Sequence, residues 1–220
     1  MLKSRKNPPE ILYPSIDFSK FYKYEGISDI KNPFFLSLNR YEKKKNVQLA
    51  LYAFELFSNK NPNYLLVIAG GYDEKILENR ENYAELLQIA INLNIKEKVI
   101  FKFSISNEEK LQLLTFASAV LYTPPNEHFG IVPVECMYME KPVLGINSGG
   151  PVESIIDGET GFLIENEAYL WAEKMVWIGE NKELCRKMGR RGKERAIEKF
   201  GFNVFKERID HYVRMCDRKE

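Results

Sequence analysis

Short apolar runs that alternate with helical segments are the feature that most restricts how this chain folds. Each run has the length of a buried strand and is followed by a segment with helical spacing of apolar residues. Strands that alternate with helices pair in parallel, and strands that are apolar throughout are covered on both faces. The pattern predicts a doubly wound, Rossmann-like α/β sheet. The predicted strands cover residues 34–38, 64–69, 99–101, 119–122, 142–146 and 162–164.

Capping signals and glycines set the expected helix ends. Asn46 is a candidate cap for the first helix, and Ser106 with Glu109 three residues later has the pattern of a capping box. From residue 167 onward the chain is expected to be helical, with breaks at three glycines. Those glycines are Gly189, Gly192 and Gly201. The other predicted helices cover about 47–57, 79–94, 106–117 and 130–139, and a short turn covers 152–156.

Residues 1–33 hold several prolines and few periodic apolar positions, which predicts a linker or extended lead-in. Residues 34–220 are then one domain that ends in extra C-terminal helices. A net charge of +1 gives no global attraction to nucleic acid. No run of about 18 apolar residues is present, so any membrane contact is expected to be peripheral. The cysteines match no metal-binding spacing and indicate a reducing compartment: Cys136, Cys185 and Cys216.

Two carboxylates follow the fourth predicted strand, at the edge where ligands bind in open α/β sheets. Glu127 lies in the loop, and Glu135 lies in the next helix. The amides of Phe129, Gly130 and Ile131 stand at that helix's N-terminus, where an anion is favoured. Glu135 can accept two hydrogen bonds from a vicinal diol such as that of a ribose. Alternatively, Glu127 only caps the helix and Glu135 faces solvent.

Basic and glycine-rich loops follow two other strands. Arg40 and Lys45 come after the first strand, and an arginine fork with a mobile lysine suits a diphosphate. The alternative is a solvated basic loop. Gly149 and Gly150 come after the fifth strand and are expected to expose backbone amides to phosphate or sugar oxygens, unless they only form a tight turn.

Together these motifs resemble retaining glycosyltransferase family four, whose fold is GT-B. The match rests on a Glu-x7-Glu motif, a basic pair after the first strand, a Gly-Gly-x-x-Glu segment and a D-G-x-T-G-F-L run. These are Glu127 to Glu135, Arg40 with Lys45, residues 149–153 and residues 157–163. Within the family, three stretches resemble the mannosyltransferases that act early on the dolichol-linked oligosaccharide: LSLNRYEKKKN, VIAGGYDEKILEN and LYTPPNEHFGIVPVECMYMEKPVLGINSGGPVESI.

The resemblance implies a GDP-mannose donor and transfer with retention to a lipid-linked sugar acceptor. Arg40 and Lys45 would hold the diphosphate, Glu135 the ribose hydroxyls, and Glu127 would lie beside the transferred sugar as the catalytic carboxylate. Backbone groups would complete the donor site at Phe129, Gly130 and Ile131, with contributions from Gly149 and Gly150. No cofactor or metal is expected, because the cations replace a metal and the chain has no Asp-x-Asp cluster.

The GT-B fold has two Rossmann-like halves, and this chain matches the second, donor-binding half. An N-terminal half or a partner chain is therefore expected to supply the acceptor site. The resemblance places the protein at the cytosolic face of the endoplasmic reticulum. Phe103 departs from the family's small or basic residue in a loop that borders the nucleobase. Two alternatives stay open: a non-catalytic nucleotide-sugar-binding subunit, or a related transferase that uses a UDP-sugar. An oxidoreductase is disfavoured, because no G-x-G-x-x-G follows a first strand.

Overall fold

A computed structural model of the chain describes residues 10–217. The first nine residues of the predicted lead-in and the last three of the predicted domain lie outside this range. The described part contains one parallel sheet of six strands in the order β3-β2-β1-β4-β5-β6. The predicted doubly wound α/β architecture is confirmed. The strands are β1 (Phe34–Leu38), β2 (Leu65–Gly70), β3 (Val99–Phe103), β4 (Ala119–Tyr122), β5 (Val143–Ile146) and β6 (Gly161–Ile164).

Eight α-helices connect the strands and complete the C-terminal part of the described chain. They are α1 (Gln48–Ser58), α2 (Leu77–Asn92), α3 (Asn107–Phe116), α4 (Ile131–Tyr138), α5 (Pro151–Ser154), α6 (Ala168–Glu180), α7 (Lys182–Phe200) and α8 (Phe202–Asp217). The predicted capping box at α3 is confirmed, because Ser106 Oγ accepts from the Glu109 amide and the Glu109 carboxylate accepts from the Ser106 amide. None of the helices in the described range is long and apolar enough to cross a membrane.

The sheet is covered on both faces, which explains why its strands read as continuous apolar runs. Every residue of β1, β4 and β5 is buried. Phe35 packs on one face in a cluster with Phe54 of α1 and Trp171 of α6. Leu36 packs on the other face with Met137 of α4 and Phe200 of α7. Alternate residues of one strand thus serve two separate layers of the core.

The strand order places a topological switch point between β1 and β4. β1 pairs with β2 on one side and with β4 on the other, so the chain leaves β3 and crosses to the opposite half of the sheet. The loops after β1 and β4 diverge at such a point and leave a crevice at the carboxyl edge. The candidate site residues follow these two strands.

Three predicted helix boundaries are wrong. Asn46 does not cap α1: Val47 is the N-cap residue without a side-chain bond, and the Asn46 side chain donates to Asn166 at 3.0 Å instead. Gly189 and Gly192 do not break the C-terminal helix, because α7 continues through both and packs along α4. The predicted break after α7 is confirmed, since α7 and α8 meet at the next glycine, residue 201.

The lead-in packs closely on the domain, although it contains only a 3-10 turn and an isolated bridge within residues 10–33. The Ile16 amide donates to the Phe200 carbonyl at 3.0 Å, and the Phe18 ring stacks on Tyr138 with centroids 4.1 Å apart. These contacts attach the lead-in to the face of the sheet that α4 and α7 cover.

Candidate functional site

A cleft of about 230 Å³ opens at the carboxyl edge of the sheet, at the switch point. Three of the predicted ligand-binding side chains line it: Arg40, Lys45 and Glu135. Three of the four side chains predicted to converge on one pocket thus do so, whereas the fourth, Glu127, does not line it, and the roles of all four toward a ligand stay predictions. The full lining consists of Leu38, Asn39, Arg40, Lys45, Gly70, Gly71, Lys110, Tyr122, Val132 and Glu135.

Lys45 joins the loop after β1 to the loop after β4. It ends a 3-10 turn, Lys43–Lys45, and is only 7% exposed. Its Nζ donates to Oε1 of Glu127 at 2.5 Å. Its carbonyl accepts from Oγ1 of Thr123 at 2.8 Å, which fixes the turn against the end of β4. A positive and a negative group are thereby held together beside the cleft.

Arg40 is the exposed cation of the site. Its guanidinium pairs with Oε1 of Glu42 at 2.8 Å, and 61% of its side chain is exposed. Glu42 also pairs with Lys44 at 3.1 Å through its other oxygen. Arg40 can turn toward an anion in the cleft by leaving Glu42, whose side chain is only 14% exposed and keeps Lys44 as a partner.

The loop that leads into α4 lies beside the cleft rather than in its wall. Glu127, Phe129, Gly130 and Ile131 do not line the cleft. Tyr122 connects the two places, because it lines the cleft and its hydroxyl would lie 2.9 Å from a Cβ built on Gly130. Burial raises the pKa of the Tyr122 phenol, and the negative charge of Glu127 raises it further. Tyr122 therefore presents a neutral hydroxyl there.

The backbone at the start of α4 has the form that was expected of an anion site. Gly130 is the N-cap residue with a φ of 74°. The amides of Phe129, Gly130 and Ile131 make no hydrogen bond to any residue in the described range. The Phe129 ring packs against Tyr13 and Phe200, at centroid distances of 5.7 and 5.3 Å. Its backbone amide is the group of Phe129 that was expected to meet a ligand.

Glu135 has a partner that the sequence reasoning missed. Its Oε1 accepts from Nζ of Lys110 in α3 at 3.1 Å, and both side chains line the cleft. Lys110 follows the capping box by one residue, in the helix that succeeds the β3 loop. A search for cations one turn into each helix after a strand would have found it.

The paired glycines after β5 pack closely against the loop that leads into α4. The Gly150 amide donates to the Glu127 carbonyl at 2.7 Å, so it is not free, contrary to expectation. A Cβ on Gly150 would lie 2.0 Å from the Phe129 carbonyl oxygen, and one on Gly149 would lie 2.4 Å from that of Glu127. Neither glycine lines the cleft. The pair instead lets this loop support the backbone of residues 127–129.

Phe103 differs from its predicted position, since it is the last residue of β3 and not part of the loop. It belongs to an aromatic cluster that the sequence reasoning did not recognise. Its ring lies 5.1 Å from Tyr41, 4.6 Å from Tyr72 and 4.9 Å from Tyr83, centroid to centroid. Tyr41 is buried, and burial raises its pKa, so its hydroxyl stays protonated and donates to the Ile68 carbonyl at 3.0 Å. Phe103 as a whole residue remains 41% exposed.

The chain is similar to known proteins over most of its length. The family described as glycosyl transferases group 1 matches residues 21–195. The chain is 42% identical over 221 residues to alpha-1,3/1,6-mannosyltransferase ALG2 of Mus musculus, covering 96% of this chain and 53% of that protein. It is 39% identical to the Saccharomyces cerevisiae protein of the same name, covering 80% of this chain and 41% of that protein. The chain spans about half the length of the relatives it matches.

Solved structures support the same fold at low identity. Sucrose-phosphate synthase from Thermosynechococcus elongatus superimposes with a TM-score of 0.84 at 20% identity, over 96% of this chain and 53% of that one. HepE of Anabaena, solved with UDP and glucose, superimposes with a TM-score of 0.81 at 21% identity, over 93% of this chain and 56% of that one. The C-terminal domain of a group 1 glycosyl transferase from Francisella tularensis superimposes with a TM-score of 0.73 at 22% identity, over 86% of this chain and all of that one. Fold, site motifs and family match agree: the chain belongs to the group 1 glycosyl transferases and has the architecture of the second half of a GT-B fold.

Proposed function

We propose that this chain is the donor-binding part of an enzyme that transfers mannose from GDP-mannose, with retention, to a dolichol-linked oligosaccharide. One observation carries the proposal: Arg40, Lys45 and Glu135, which are distant along the chain, line a single cleft at the carboxyl edge. The mannosyltransferase names of the most similar relatives support the sugar and the reaction. The sequence stretches that resemble dolichol-pathway enzymes support the acceptor.

The side chains supply what departure of a nucleotide diphosphate requires. In this proposal Arg40 and Lys45 stabilise the negative charge that develops on the leaving diphosphate, together with the free amides at the start of α4. Glu135 accepts hydrogen bonds from the ribose hydroxyls. Glu127 lies beside the mannose and offsets positive charge on an oxocarbenium-like centre. It acts through its charge and not as a covalent nucleophile.

We also propose that the reaction needs no metal ion. Cationic side chains and backbone dipoles that are already aimed at the diphosphate can do the electrostatic work of a divalent cation. The affinity for GDP should then be the same in buffer with excess EDTA and in buffer with Mg²⁺. A large gain with Mg²⁺ would contradict a metal-free site.

The acceptor is proposed to bind outside this chain. The relatives are about twice as long, and transfer requires donor and acceptor to be held in one geometry. A Rossmann-like half upstream, or a partner chain, would supply the acceptor site. This chain alone is then expected to bind donor and to transfer little mannose. A non-catalytic subunit that depends on a partner predicts the same binding, and is excluded if adding the other half restores transfer only when Glu127 is intact.

The proposal places the protein at the cytosolic face of the endoplasmic reticulum, with peripheral membrane contact. The basic residues of α7 are the proposed contact. Two of them already bind groups of the protein and are less available to lipid. Arg195 donates to the carbonyls of Ser154 and Glu153, at 2.6 and 2.8 Å, and Lys193 pairs with Glu140 at 3.0 Å. Binding to vesicles with anionic lipid should therefore be weak and should fall as salt is added.

Calorimetry with GDP-mannose, GDP, UDP and UDP-glucose tests the donor assignment. We expect the guanine nucleotides to bind more tightly, and preference for UDP would overturn the choice of base. Arg40→Ala should weaken GDP binding about 10-fold or more, because a hydrogen-bonded cation is lost from the diphosphate. Arg186→Ala is a matched control, since Arg186 pairs with Glu183 at 3.0 Å and is similarly exposed at 68%. Equal losses in both variants would reject the site.

A further inference from the structure

Lys110 of α3 contacts both α4 and the lead-in. Its Nζ donates to Oε1 of Glu135 in α4 at 3.1 Å and lies 5.2 Å from the centre of the Phe21 ring in the lead-in. Only 22% of the Lys110 side chain and 13% of the Glu135 side chain are exposed. The ion pair is therefore better shielded from water than a surface pair, and it holds one orientation of the carboxylate more strongly.

We propose that Lys110 is a positioning residue that aims the Glu135 carboxylate at the ribose hydroxyls of the nucleotide. The inference rests on the proposed function, because it takes the cleft to be the nucleotide site. Lys110 binds one carboxylate oxygen, while the other oxygen, Oε2, makes no hydrogen bond within the described part of the chain. A vicinal diol needs a carboxylate with free acceptor positions, held in a fixed plane. The contact with Lys110 provides that restraint and leaves those positions free.

The charge of Lys110 has a second consequence for the same site. A carboxylate in a cleft that receives a diphosphate repels the ligand unless its charge is offset. Lys45 is already paired with Glu127 and Arg40 with Glu42, so neither is bound to Glu135. Lys110 is the cation in contact with Glu135 among the described residues. It allows Glu135 to face the nucleotide as an acceptor without an electrostatic penalty.

Phe21 favours this arrangement because its ring attracts the ammonium of Lys110. A cation near an aromatic face is stabilised, and the lysine stem loses some of its rotameric freedom. Lys193 has similar partners outside the cleft, with Glu140 at 3.0 Å and the Tyr138 ring at 5.3 Å. Glu140 also pairs with Lys23 at 3.0 Å and so keeps a cation when Lys193 is replaced. Lys193→Met therefore controls for the loss of a lysine that contacts a carboxylate and an aromatic ring away from the cleft.

The test compares GDP with 2′,3′-dideoxy-GDP, which lacks both ribose hydroxyls, by calorimetry. Wild-type protein should bind GDP about 10-fold or more tightly than the dideoxy nucleotide, because the diol contacts a charged acceptor. Lys110→Met should lose most of this preference: the uncompensated charge of Glu135 weakens both nucleotides, but GDP loses more because it also loses its diol contacts. Lys110→Arg should restore part of it, and Lys193→Met should keep it in full. A purely structural role of Lys110 would weaken both nucleotides equally.

The possible failures are distinguishable. If wild-type protein binds neither nucleotide, the proposed function fails. If it binds both equally, Glu135 does not contact the ribose. If the preference is present and survives in Lys110→Met, the positioning role of Lys110 is rejected while the donor site stands. Thermal unfolding of each variant identifies a folding defect, and Lys110→Arg then carries the comparison because it keeps the charge.

Discussion

Lys45 and Glu127 are 82 residues apart in the sequence, yet the lysine Nζ lies 2.5 Å from the glutamate Oε1. The two residues follow β1 and β4. These strands are parallel neighbours in the sheet, because the chain crosses from β3 at one edge back to the position beside β1. The pair therefore connects the loops that follow these two strands. It also links a proposed phosphate-binding group to the proposed catalytic carboxylate, so each determines where the other lies.

The first prediction concerns this pair. Lys45→Met should lower the free energy of unfolding by about 1–3 kcal/mol, because Glu127 keeps its charge and loses its partner in a partly buried place. Glu127→Gln should cost less, since the amide can still accept from the lysine. The double variant should be more stable than the sum of the single effects predicts. Chemical denaturation of the four proteins measures this coupling.

Additive effects in that cycle would show that the two side chains do not stabilise each other. GDP affinity of the same proteins provides a second measurement. Lys45→Met should weaken GDP binding strongly, whereas Glu127→Gln should leave it within about 3-fold, because Glu127 is assigned to the sugar and not to the nucleotide. A strong loss in Glu127→Gln would place this carboxylate in the nucleotide site instead.

The second prediction concerns the turn into α4. Gly130 and Gly158 have the same φ of 74°, but a Cβ on Gly130 would meet the Tyr122 hydroxyl at 2.9 Å, while one on Gly158 would meet nothing within 4 Å. Gly158→Ala should cost only the left-handed backbone strain, about 1–2 kcal/mol. Gly130→Ala should cost more, and a Tyr122→Phe background should remove only part of the excess, because the ring carbons Cε1 and Cζ stay 3.2 Å from the new Cβ. Equal losses in the two alanine variants would mean that Tyr122 does not restrict the turn.

The sheet could be predicted from the sequence because its buried strands are short apolar runs with turn signals between them. Residues 34–38 and 119–122 needed no information from the rest of the chain. Boundaries that depend on tertiary contacts were not predictable in this way. The side chain of Asn46 is a good cap by local chemistry, but its amide group bonds to Asn166 across the fold. A distant partner therefore determines what this residue does.

The site was predictable to the extent that parallel strands bring their carboxyl ends to one edge. That rule was enough to bring together Arg40, Lys45 and Glu135. It could not reveal Lys110, whose partner lies 25 residues away on another helix, nor show that the Gly150 amide is used by Glu127. Such contacts depend on the angles at which helices and loops pack. These angles cannot be derived from local sequence patterns.

The third prediction concerns the two glycines that do not break α7. A Cβ on Gly189 would lie 2.1 Å from the Glu140 carbonyl oxygen, so this glycine lets α7 approach the end of α4. A Cβ on Gly192 would meet Met137 atoms at 3.5 Å, an ordinary contact. Gly192→Ala should stabilise the protein by up to about 1 kcal/mol through helix propensity. Gly189→Ala should destabilise it by about 1–3 kcal/mol through overpacking. Thermal or chemical unfolding of both variants checks the opposite signs, and a shared sign would contradict the packing explanation.

The fourth prediction concerns stability at alkaline pH. Lys141 donates to the carbonyls of Thr115 and Ala117, at 2.6 and 3.1 Å, at the end of α3. Burial, with the nearby charge of Lys23, lowers the pKa of Lys141 from 10.5 to about 8. The unfolded chain then binds more protons than the native state between pH 8 and 10.5, so the free energy of unfolding contributed by this group rises with pH across that window.

The rise should reach about 3 kcal/mol, and its midpoint lies well above neutral pH. Below pH 8 the lysine is charged in both states, so its full desolvation cost is present and constant. Lys141→Met removes the titration, so the difference in unfolding free energy between wild type and variant should change between pH 8 and 10.5 and be flat from pH 6 to 7. The neutral amine still donates to both carbonyls, which keeps the end of α3 satisfied at high pH. Parallel pH profiles for the two proteins would show that the lysine ammonium is as well solvated in the fold as in the unfolded chain.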